Sequence, residues 1–134
     1  MMGNTYEYTG IDSSLTMQVT VGAEIKDAQC KAVGFQNDKA VLPASGAIPL
    51  GILLISNDDM LAAGAEAVIQ TAARGLWKAG APFVSGELLA TDADGLCQKA
   101  TAGQYIYARA LEGAAAKGDI VKVQILNAGY AAGE

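Results

Sequence analysis

Residues 90–111, ATDADGLCQKATAGQYIYARAL, nearly repeat residues 33–54, VGFQNDKAVLPASGAIPLGILL. At an offset of 57, Gly46 falls on Gly103, Ile48 on Tyr105, Gly51 on Ala108 and Leu54 on Leu111, and the turn at 37–39 falls on 94–96. After a three-residue deletion the match resumes. AGAEAVIQTAARG (63–75) lies over KGDIVKVQILNAG (117–129), with Gly64 on Gly118, Gln70 on Gln124 and Gly75 on Gly129. Identity is low, but the glycines and the apolar positions hold. Two copies are too few to stack as a solenoid. The spacing therefore predicts one pseudo-symmetric domain over 15–126, with units at about 32–75 and 89–129, an N-terminal arm over 1–14 and a C-terminal tail over 127–134.

Each copy reads as strands. Leu15, Met17, Val19 and Val21 alternate with Thr16, Gln18 and Thr20, and Val121, Val123 and Ile125 alternate with Lys122 and Gln124. This is the period-two pattern of half-buried strands. Residues 86–100 read as two short strands around Asp-Ala-Asp-Gly, a hairpin signal in which Gly95 can take positive φ. PLGILLIS (49–56) is apolar enough for a strand buried on both faces. Helix enters as a minor component at 56–64, with Asn57 as N-cap, Asp58 and Asp59 in the first turn and Gly64 as the stop, and at 111–118, ending at Gly118. The predicted fold class is all-β: a barrel or sandwich of about ten strands with one or two short helices.

With 26 Ala and 16 Gly but 6% aromatic residues, the core is built of small side chains that each remove little apolar area from water. Self-association would supplement it. The net charge is −5 and the nine Lys and Arg are scattered singly, which argues against a nucleic-acid partner. The longest apolar run, residues 47–55, contains Pro49 and Gly51 and falls far short of the ~20 residues needed to cross a bilayer. No membrane partner is expected, and the N-terminus lacks the basic and apolar regions of a signal peptide. Cys30 and Cys97 stand 67 residues apart with no partner at metal or redox spacing, and read as reduced, buried thiols.

Chemistry is hard to find. The chain has no His, which removes Ser-His-Asp and Cys-His catalysis and the commonest general base at neutral pH. No phosphate-cradling glycine loop occurs. Asp92, Asp94 and Gly95 echo a calcium loop, but that register would place Ala90 and Thr101 where carboxylates belong, so a hairpin turn is the reading. Asp58 and Asp59 are adjacent, and neighbours diverge on a helix or a strand. The sequence thus predicts no enzyme, with no catalytic, cofactor or metal residues. Leu76, Trp77 and Phe83 between the copies either fill the joint of two half-domains or anchor a subunit contact. Tyr6 and Tyr8, flanking Glu7, with Ile11 beyond, suit an extended segment: a swapped or docked arm, or an edge strand.

The glycine-punctuated β-units, PLGILL after PASG, GAEAVIQTAARG, and ALEGAAAKGDIVKVQIL together resemble the bacteriophage head-decoration, or capsid cement, family over about residues 20–126. Gly51-Ile52 and Gly64-Ala65-Glu66 fit its pattern in the first copy and Gly118-Asp119-Ile120-Val121-Lys122-Val123 in the second, where Ala108-Arg109 departs from it. The resemblance implies a small β-rich structural protein, commonly trimeric, that is made in the host cytoplasm. It would bind the outer surface of an icosahedral phage capsid, with the major capsid protein as partner and Tyr6, Tyr8 and Ile11 contacting the capsid or an adjacent subunit, and cement the shell without a cofactor. The alternative reading is a β-barrel ligand- or glycan-binding module of a phage tail or receptor-binding protein.

Overall fold

Alternating aliphatic and polar residues produce strand after strand, and the computed structural model, which describes residues 15–132, contains no helix among them. The first half supplies β1 (Thr16–Thr20), β2 (Ile25–Lys26), β3 (Ala32–Gln36), β4 (Lys39–Val41), β5 (Gly51–Leu53), β6 (Met60–Leu61) and β7 (Glu66–Gln70). The second supplies β8 (Arg74–Lys78), β9 (Leu88–Thr91), β10 (Cys97–Lys99), β11 (Tyr105–Ala110) and β12 (Ile120–Tyr130). Two five-stranded antiparallel sheets result, ordered β1-β7-β5-β3-β4 and β8-β12-β11-β9-β10, with β2 and β6 as a separate pair.

The two sheets match in order and in register. Thr16 pairs with Gln70 and Thr20 with Glu66; in the other sheet Arg74 pairs with Gln124 and Lys78 with Ile120. Ile52 faces Gln70 and Leu53 faces Ile69, as Arg109 faces Gln124 and Ala110 faces Val123. Parallel bridges, Val21 to Ala40 and Ala79 to Cys97, bring the outer edges of each sheet together. The next amides, Gly22 and Gly80, donate to the Ala40 and Cys97 carbonyls at 2.8 and 2.7 Å. Each sheet therefore curls nearly closed around its own core, giving two lobes. Val19, Val21, Ile25, Val33, Ala67 and Ile69 fill the first, and Trp77, Ala79, Phe83, Leu89, Val121 and Val123 fill the second.

The lobes are joined by a seam. Ala32 and Ile52 of the first lobe belong to the core of the second, so β5 is buried on both faces. Across the seam the Ala32 N–H donates to the Gly95 carbonyl at 2.7 Å, and the Lys78 N–H to the Cys30 carbonyl at 2.8 Å. The Trp77 Nε1–H donates to the same Gly95 carbonyl at 2.9 Å.

Two segments expected to be helical are not. At 56–64 the chain turns, pairs Met60 and Leu61 with β2, and turns again at Gly64. Asn57 caps nothing helical: its side chain accepts from the Val68 N–H at 3.0 Å and donates to the Val68 carbonyl at 2.7 Å, bracing β7. At 111–118, Ala114 bridges to Phe83, while the Asp119 carboxylate accepts from the Ala115 and Ala116 N–H groups. Segments this short cannot offset the cost of nucleating a helix, whereas neighbouring strands satisfy their backbone groups directly. The sequence pattern also stopped short at the C-terminus, since β12 runs on through Asn127 and Gly129 to Tyr130, opposite Tyr105. In β1, Val19 is buried, but Leu15 and Met17 are exposed at the edge of the sheet.

Candidate docking face

Among the described residues the outer face of the second lobe's sheet is open, and it carries three of the chain's nine Lys and Arg. Residues inside the barrel (Trp77, Val121, Val123, Ala108) alternate with residues outside it, so Arg74, Leu76, Lys122, Gln124, Arg109 and Leu88 point outward. Pairing sets them in rows. Arg74, Gln124, Arg109 and Leu88 lie side by side across β8, β12, β11 and β9. Leu76 and Lys122 form the next row, which Leu111 joins by donating its N–H to the Lys122 carbonyl at 2.9 Å. Arg74, Leu76, Leu111 and Lys122 line a shallow cavity of about 360 Å³. Glu112 lies beside it, its carboxylate accepting from the Lys122 N–H. The ion pair recorded among the described residues, Lys99 with Glu87, involves none of Arg74, Arg109 and Lys122.

In the first lobe the corresponding face is covered. Ala32 and Ile52 are 0% and 2% exposed, while their counterparts Leu88 and Arg109 face solvent. A side chain built at Gly86, the counterpart of Cys30, meets nothing within 4 Å, whereas Cys30 is fully buried. One lobe's outer face thus receives the other lobe, and among the described residues nothing covers the other's.

Of the three residues singled out as oligomer contacts, Leu76 lies on this face. Trp77 and Phe83 are 0% and 8% exposed and belong to the core, which leaves them no surface for a partner. Tyr6, Tyr8 and Ile11 lie outside the described residues. Sequence reasoning missed Arg109, Lys122 and Leu111 because the face appears only once three strands are laid in register. The one visible signal was Arg109 standing where the first copy has Ile52.

Reactive groups are held away from this face. Cys30 and Cys97 are free and buried, and burial pushes both thiols up. The first acid of the 92–95 turn is structural: Asp92 Oδ1 accepts from the Asp94 and Leu96 N–H groups at 2.9 Å each.

No protein-family model matches the chain, and no curated protein does. Among solved structures, the head fiber gp8.5 N base of bacteriophage phi29 aligns with a TM-score of 0.63 at 16% identity, over 87% of this chain and 97% of that one. In fold, this two-lobed all-β chain is similar to the base of a phage head fibre.

Proposed function

We propose that the protein is a structural component of a phage virion that binds the outer surface of an icosahedral capsid and stabilises the shell, acting as a homotrimer against the major capsid protein. The observation that carries the reading is the fold shared with a phage head-fibre base over nearly all of both chains. The open, cationic and partly apolar face of the second lobe is the surface best suited to the contact. It sets Leu76, Leu88 and Leu111 among cations on a chain whose net charge is −5. Apolar contact supplies the energy of such an interface, and the surrounding charges set its register and partner.

The test is co-sedimentation of the purified protein with expanded, DNA-free shells, at matched salt, with particle imaging of the product. Saturable binding at a defined symmetry position, and shells that survive higher temperature, are expected. Protein that stays in the supernatant at concentrations that would saturate a specific interface would overturn the reading.

A further inference from the structure

Charge divides the molecule along the same line as its lobes. Residues 15–73 carry six Asp and Glu against three Lys, a net −3, whereas residues 74–132 carry five against six Lys and Arg, a net +1. Half of the second lobe's cations lie on its outer face, where Arg74, Arg109 and Lys122 stand around Leu76, Leu88 and Leu111. Glu112 beside the face offsets one of the three, and its carboxylate accepts from the Lys122 N–H at 2.9 Å. Other carboxylates of this lobe are engaged within it: Glu87 with Lys99, Asp92 with amides of its own turn, and Asp119 with the Ala115 and Ala116 amides.

A guanidinium or ammonium group taken out of water at an interface needs a counter-charge, because an unpaired buried cation costs more than the apolar contact beside it returns. At physiological salt the screening length is about 8 Å, so a partner senses the face that touches it and little of the first lobe's charge. We infer that the partner of this face is a protein surface with carboxylates around an apolar patch, and that the molecule docks second lobe first, with its acidic first lobe held away. That surface belongs to the shell, so the inference rests on the function proposed above and adds the chemistry and the orientation of the contact.

Binding of labelled, full-length protein to expanded, DNA-free shells tests it, at about 0.15 M and about 1 M salt, for the parent and two charge-matched variants. Arg109→Glu/Lys122→Glu reverses two charges on the face. Lys26→Glu/Lys39→Glu reverses two exposed charges on the first lobe and changes the net charge equally. At the lower salt the face pair should weaken binding at least about 100-fold, as like charges set opposite one another require, and the first-lobe pair by less than about threefold. At the higher salt, where the screening length is about 3 Å, most of the difference between the two should vanish. The milder Arg109→Gln/Lys122→Gln, with a thermal melt matching the parent's, should give an intermediate loss, which separates charge from misfolding. Equal losses from the two reversed pairs would assign the effect to net charge and overturn the inference, as would a face pair that binds like the parent. Face variants that change the oligomeric state of the free protein would make a second copy the occupant, with the same result. A parent that binds no shell would remove the proposed function and this inference together, whereas the other failures leave that function standing.

Discussion

Trp77 and Tyr107 meet edge to face in the second core, ring centroids 5.7 Å apart at 86°, but differ in how their polar atoms fare. The indole N–H has the Gly95 carbonyl, whereas the Tyr107 hydroxyl is buried without a partner. An orphaned polar group costs what its removal recovers. Tyr107→Phe should therefore leave stability unchanged or raise it by up to about 1 kcal/mol in urea titrations. Trp77→Phe, which removes one of the two hydrogen bonds that the Gly95 carbonyl accepts and leaves space where the larger indole was buried, should lose about 1–3 kcal/mol. The two differ again in alkali. Burial, with the nearby Tyr105 as the lesser cause, raises Tyr107 from 10.0 to about 12. The folded state thus holds this proton more tightly than the unfolded state, so the contribution is complete below pH 10 and is lost as pH rises through 12. At about 1.4 kcal/mol per unit, urea midpoints should fall steeply across that window in the parent and less in Tyr107→Phe. A residual slope from the buried Cys97 thiol would remain.

Turns decide how the elements meet, and turns of like backbone differ in what they touch. Gly118 and Gly95 both have positive φ, 96° and 77°, but a Cβ on Gly118 meets nothing within 4 Å while one on Gly95 would come 2.4 Å from the Ala32 carbonyl oxygen. Gly118→Ala should cost roughly the 1–2 kcal/mol of left-handed backbone. Gly95→Ala should cost clearly more, because the seam itself must open. Thermal melts of the two variants side by side check this. The hairpin at Gly95 and the alternation in β12 were legible in the sequence because turn chemistry and period two are local. The two short helices were misread because capping residues look alike whether they serve a helix or, like Asn57, bond to the next strand. The docking face was illegible for a related reason: Arg74, Gln124 and Arg109 are scattered through the sequence and become neighbours only through register.

Over the whole molecule, the two barrels are not independent, because Ile52 belongs by sequence to one and by packing to the core of the other. Calorimetry should show a single transition, and Ile52→Ala should move all of it at a cost of about 2–5 kcal/mol. Two resolved transitions, with only one shifted, would mean separable lobes. The seam also carries a polarity. It closes because Gly95 offers a bare backbone to Ala32, yet the residue at the same place in the first lobe's turn is Asp38, also at positive φ, with a full side chain. The receiving site on the second lobe has likewise exchanged Ile52 for Arg109. A chain made of two like barrels, each able in outline to accept the next, has the architecture of a growing filament. These two exchanges remove the means of growth at both ends. The chain can thus use its duplication once, inside each molecule, without threading its neighbours into a fibre.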